Sequence, residues 1–138
     1  MSPKEKARFI VVFFASYFLL LGVTIYALGD WLASSEGNLI IALLGKTVNY
    51  SAFEFVSYCS GLVSVSAYLG VCMALISIKQ KVLARRVAIG VGILFLANIL
   101  RLIAVLLSEK IGIVQVVHVL SWFFMFVVIV WLAEMSVD

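Results

Sequence analysis

Apolar positions in this chain come in four long runs, and nearly all charged positions fall in the gaps between them. The first run is Phe9 to Leu28, free of proline and charge and holding one glycine, Gly22. The second spans about 59–78, from Cys59 and Ser60 to Ile78, and stops before Lys79. The third, 87–107, contains one charge, Arg101; the fourth, about 114–132, carries the only histidine, His118. Each is close to the roughly 20 residues, at about 1.5 Å of rise apiece, that a helix needs to cross the hydrocarbon core. The pattern predicts an all-α integral membrane protein, a bundle of four transmembrane helices forming a single domain over 1–138. Pro3, the one proline, lies outside all four runs, so nothing within them forces a kink.

Between the first two runs, Gly29 to Tyr58 carries Asp30, Glu36, Glu54 and a short apolar patch, Leu39 to Leu44. That patch is too short to span and is expected to be an interfacial or re-entrant segment covering the mouth of the bundle. The first run is longer than the roughly 7 to 15 apolar residues of a signal peptide, so it reads as an uncleaved anchor.

Composition agrees with a lipid solvent: 138 residues, 65% hydrophobic and 12% charged, with a mean hydropathy of +1.23. The net charge of +3 matters less than its placement. Lys4, Lys6 and Arg8 precede the first run, and Lys79, Lys81, Arg85 and Arg86 fill the second gap; Lys46 and Lys110 stand alone in the others. Basic residues near span ends stay in the cytoplasm. Both termini and the middle link are therefore expected on the cytoplasmic side of the cell membrane, with the long segment and the third link outside. Basic residues interleaved with aromatics in a soluble segment are lacking, which leaves nucleic-acid binding without support. One histidine and two distant cysteines cannot furnish a zinc ligand set, and no glycine-rich phosphate loop is present, so neither a metal nor another cofactor is expected. Cys59 and Cys72, if on one helix, would stand roughly 20 Å apart, too far for a disulfide.

Three polar residues interrupt the apolar pattern at one level. Arg101 lies about 21 Å from the inner end of its span and about 9 Å below the outer one. Alone it reads equally as a snorkelling anchor that sets helix depth. Asn98, one turn earlier on the same face, points instead to a polar cavity. His118 lies about 6 Å below the outer surface, and alone is as readily a histidine bonded to a neighbouring helix. Cys59 begins the second span at the same outer level; alone it is a small apolar side chain. Because spans alternate in direction, the three come within about 10 Å of one another in depth. A thiol becomes nucleophilic beside a base or a cation, and a guanidinium can also stabilise an oxyanion, so this trio suits acyl-transfer chemistry.

At these residues the sequence resembles the exosortase and archaeosortase family of membrane transpeptidases. The matching pieces are Cys59-Ser60-Gly61 at the start of one span, Asn98-Ile99-Leu100-Arg101 late in the next, and His118 followed by Ser121-Trp122 early in the last. The resemblance implies cysteine-dependent cleavage of a C-terminal sorting signal on exported proteins at the outer face. That signal combines a short motif, a transmembrane stretch and a basic tail, and the new carboxyl end passes to a lipid or other surface acceptor. Cys59 would be the nucleophile, His118 the proton shuttle and Arg101 the oxyanion or carbonyl partner, with the activator of the thiol left open between the last two. Asn98, Ser60 and Gly61 would support them. Glu54, five positions before the cysteine, is a weak candidate for orienting the histidine and reads more readily as a solvated loop carboxylate. The chain departs from the family in having one span ahead of the cysteine block, where members usually have more. Substrate-binding parts would then be reduced, or supplied by a second copy of the chain or a partner.

Two other readings belong to different classes. A small oligomeric transporter would line a polar path with Arg101 and His118, but the inner halves of the spans are almost wholly apolar, with Ser16, Tyr17 and Ser77 as exceptions. A non-catalytic protein that binds sorting-signal helices would have no need of the complete trio.

Overall fold

The computed structural model describes residues 1–45 and 60–138. Among these the chain is helical apart from short links and one isolated antiparallel bridge between Val82 and Val137. The helices are α1 (Pro3–Leu44), α2 (Leu62–Ser77), α3 (Ala84–Ser108) and α4 (Val114–Ser136), with a 3-10 turn at Glu109–Ile111 between the last two. Three of the helical segments, Pro3–Leu44, Ala84–Ile111 and Val114–Ser136, are long and apolar enough to cross a membrane, and Leu62–Ser77 is a shorter apolar helix.

Helix α1 starts on a capping box. The Ser2 hydroxyl accepts the Glu5 N–H, the Glu5 carboxylate accepts the Ser2 N–H at 2.7 Å, and Pro3 opens the helix. These bonds hold the Glu5 carboxyl below its usual range, and the positive charges of the N-terminus and, less, of Lys79 add to them.

The helix does not end at Leu28. It runs on to Leu44, so Leu39 to Leu44 forms its last turns rather than a separate segment. The reason is a stripe at helical spacing, Gly29, Ala33, Glu36, Gly37 and Ile40, that is buried against the other helices. The hydroxyls of Thr24 and Ser35 donate back to the carbonyls of Leu20 and Trp31, so neither competes with the helix. It stops at Gly45, whose φ of 57° and ψ of −136° suit a residue without a Cβ. Forty-two residues make a helix about 63 Å long, twice the hydrocarbon thickness. Phe13 and Tyr17 lie against Gly70, whereas Glu36 reaches Gly61. These contacts are about 34 Å apart along α1 and only about 14 Å apart along α2, so α1 does not run straight alongside α2.

The other helices also shift from the apolar runs. Helix α2 begins at Leu62, behind the N-cap Gly61, rather than at residue 59. Residues 46–59, which include Cys59 and Glu54, lie outside the described residues. Helix α3 starts three residues before Val87 and takes in Arg85 and Arg86, while α4 continues past Leu132 to Ser136.

The α2–α3 link is fastened to the end of α4. Leu83 donates its N–H to Ser136 O and Asp138 donates to Lys81 O, both at 3.0 Å, and Lys81 Nζ pairs with Asp138 at 2.7 Å. Arg86 Nη1 donates to the carbonyls of Met135 (3.1 Å) and Val137 (2.8 Å), capping the negative end of α4 with a cation. Just inside, the Tyr68 hydroxyl shares a 2.6 Å hydrogen bond with Ser136 Oγ. Tyr68 is fully buried and packs over Gly90, where a Cβ would come within 2.7 Å of its Cζ. Around it Val65, Cys72, Leu94, Ala97 and Met125 form the main core. A second, smaller cluster joins Ile40 of α1 to Leu102 and Leu106 of α3. Phe14, Phe18, Val23, Leu96, Leu100, Phe123 and Phe126 face outward, as side chains do when the surrounding medium is lipid.

Candidate functional site

At the end of the bundle away from the clamp, polar side chains from α1, α3 and α4 meet the start of α2. Helix α3 supplies Asn98 and Arg101, three residues apart on its buried face. Asn98 Oδ1 accepts from Arg101 Nε at 3.1 Å, and Asn98 Nδ2 donates to Glu36 Oε2 at 3.0 Å. The other carboxylate oxygen, Glu36 Oε1, accepts the backbone N–H of Gly61 at 3.3 Å. One carboxylate on α1 thus ties α3 to the residue that caps α2.

Arg101 is only 4% exposed, and Glu36 only 5%. A guanidinium at that burial needs compensation on every side. Asn98 engages its Nε, Glu36 lies near enough for their charges to interact, and the Trp122 ring lies beneath its central carbon at 4.5 Å. That is cation–π distance, in a place where water does not screen it. The snorkelling-anchor reading of Arg101 is at odds with this burial, because an anchor keeps its head group in the polar interface.

Helix α4 places Trp122 and His118 one turn apart. Trp122 Nε1 donates to His118 Nε2 at 3.3 Å, with the two rings nearly perpendicular at 83°. The bond requires the imidazole lone pair at Nε2, so its hydrogen is at Nδ1 in this arrangement. Ser121 takes no part, since its hydroxyl donates to the His118 carbonyl at 2.7 Å inside the helix.

Of the residues singled out from sequence, Gly61, Asn98 and Arg101 come together directly, and His118 joins them through Trp122. Ser60 is buried next to Gly61 in the chain. Cys59 is covalently joined to Ser60 and, like Glu54, lies outside the described residues. Gly61 has a steric role as well: a Cβ there would stand 2.6 Å from Phe95 Cδ1 and 3.6 Å from Asn98 Cβ. Two members were not anticipated. From sequence Glu36 counted only as one charge of the outer segment, although Gly29, Ala33, Gly37 and Ile40 put it on a helical stripe of mostly small residues. Trp122 was noted only as part of a motif, and its position four residues after His118 was the signal of a paired role.

Chemically, the site offers a buried cation held in one orientation, an imidazole, and a carboxylate that sets the geometry. Comparison of the chain with protein-family models, with curated proteins and with solved structures finds no match in any of the three.

Proposed function

We propose that this protein is a membrane cysteine transpeptidase or protease of the sorting type. It crosses the bilayer four times, with both termini and the basic α2–α3 link on the cytoplasmic side and the polar site facing outside. Its substrates are exported proteins that end in a recognition motif, an apolar helix and a basic tail. The observation that carries the reading is the buried network from Glu36 through Asn98 and Arg101 to Trp122 and His118, tied to the Gly61 N–H two residues after Cys59. Burying an arginine is costly, and such residues within membrane segments mark functional sites.

In the proposed reaction His118, released from Trp122, takes the Cys59 thiol proton, and the resulting thiolate attacks the scissile carbonyl. A carbon–sulfur bond forms, and the oxyanion is stabilised by Arg101. His118 gives the leaving amine a proton as the peptide bond breaks, which leaves a thioester. A lipid or other acceptor hydroxyl, or water, then loses its proton to His118 and attacks the thioester, releasing the thiolate. Because Trp122 engages the basic nitrogen of His118, the histidine acts as a base only once that bond is given up. The Arg101 guanidinium, which accepts no proton, lowers the cost of the thiolate once it has formed.

The deciding experiment co-expresses wild type, Cys59→Ala or Cys72→Ala with a secreted reporter bearing such a signal from the same genome. Processing should stop for Cys59→Ala alone. An uncut reporter with wild type, or equal cutting by Cys59→Ala, refutes the assignment.

A further inference from the structure

A lateral groove opens on the opposite half of the bundle, between α1, α2 and the start of α3. It has a volume of about 520 Å³, and its walls include Leu20, Leu69, Cys72, Ile76, Val87 and Ala88. Nothing in the sorting reaction uses it. Its wall is apolar, but its end is not. Ile76 is three residues before Lys79, and Ala84, also on the wall, is followed by Arg85.

The charges at this end are unequal. Lys4, Lys6, Arg8, Lys79, Lys81, Arg85 and Arg86 face three acidic residues, Glu5, Glu134 and Asp138. Lys81 is committed to Asp138, and Arg86 to the carbonyls that end α4. Arg85 has no ion pair among the described residues, and Lys79 has only the distant charge of Glu5. An apolar trough therefore adjoins chain segments that carry two cations with spare capacity, Lys79 and Arg85.

We propose that this groove binds one anionic glycerophospholipid, with an acyl chain along Leu20, Leu69 and Ala88 and the phosphate on Lys79 and Arg85. Charge selects this occupant. The basic tail of a sorting signal would be repelled by Lys79 and Arg85, and a second copy would bring the same cations with it. Basic pockets between helices on the cytoplasmic side are suited to anionic head groups. This site stands apart from the sorting chemistry and is tested without any activity assay.

The test is native mass spectrometry of the full chain in detergent, titrated with dioleoyl phosphatidylglycerol or dioleoyl phosphatidylcholine. One phosphatidylglycerol should be retained in preference to phosphatidylcholine. The pair Lys79→Gln and Arg85→Gln should weaken it by roughly fivefold per charge, about 25-fold together. The pair Lys4→Gln and Lys6→Gln, with the same change in net charge, should leave it unaltered. Ala88→Trp, which fills the trough, should lower retention with the cations intact. Equal retention of the two lipids, equal weakening by the control pair, full displacement by inorganic phosphate, or a second copy or peptide in the groove would each overturn the proposal.

Discussion

Asn98 donates its side-chain amide to the Glu36 carboxylate at 3.0 Å, across sixty-two residues of chain. The same amide offers its oxygen to Arg101. Asn98 therefore has a fixed orientation, because a flipped amide would turn its oxygen on a carboxylate and its NH₂ on a guanidinium.

Glu36→Gln tests this arrangement with little change in shape. A neutral amide also presents donors, so it competes for the place of the Asn98 NH₂ and loosens Arg101. Reporter processing should fall by roughly 10- to 100-fold, on the scale of losing a supporting outer contact. Glu36→Ala should in addition lower stability by about 1–3 kcal/mol, since it removes the acceptor of the buried Gly61 N–H and of Asn98 Nδ2, and thermal unfolding in detergent would register it. Unchanged processing in both variants would remove Glu36 from the site.

Arg101→Lys keeps the charge and loses the planar fork. The ammonium cannot both donate from the Nε position to Asn98 and lie flat on Trp122. Processing should drop by roughly 10²-fold or more, as it does when an oxyanion donor is lost. Arg101→Met should abolish processing. Its effect on stability should be smaller than that of Arg101→Ala, because the apolar replacement fills the volume. Near-normal turnover by the lysine variant would mean that a point charge suffices.

Trp122→Phe retains a ring beneath Arg101 and removes the N–H that reaches His118. Stability should change by about 1 kcal/mol or less. His118 is the only histidine, so ¹⁵N-histidine labelling reports this residue alone. The wild-type spectrum should show Nε2 as the unprotonated nitrogen, and the variant should show a mixture of tautomers. A mixture already present in wild type would mean that the 3.3 Å contact does not hold the ring.

Gly90→Ala should destabilise the bundle by about 1–3 kcal/mol, because its Cβ would press on the buried Tyr68 hydroxyl and ring. Tyr68→Phe, which removes that hydroxyl, should recover part of the loss even though Ser136 Oγ then keeps only its bond to the Leu132 carbonyl. Additive losses in the double variant, measured by thermal melts, would show that the contact is not the cause.

Much of the helical architecture was legible because its signals are long. Runs such as 87–107 admit one interpretation in lipid, and α3 and α4 lie where those runs fall. The ends were less legible. Arg85, Arg86 and Glu134 are polar yet helical, since helices extend past the apolar core and Arg86 finds carbonyls that only the folded clamp brings near. Between Gly29 and Leu44, charges and glycines resemble a loop when counted, and form a stripe when placed at 3.6 residues per turn. In the site, Asn98 and Arg101 could be paired from their spacing alone. Glu36 could not, because its partners are contributed by a helix sixty residues further along.

The shared contacts of Glu36 also set an order on biosynthesis. Its carboxylate leaves the ribosome with α1, long before Asn98 and Arg101 exist, and it cannot reach its final neighbours until α3 has been inserted. Until then a charged side chain interrupts an otherwise apolar and small-residue face, and a chain truncated before α3 keeps that mark permanently. The network that positions the arginine thereby distinguishes a finished bundle from an unfinished one.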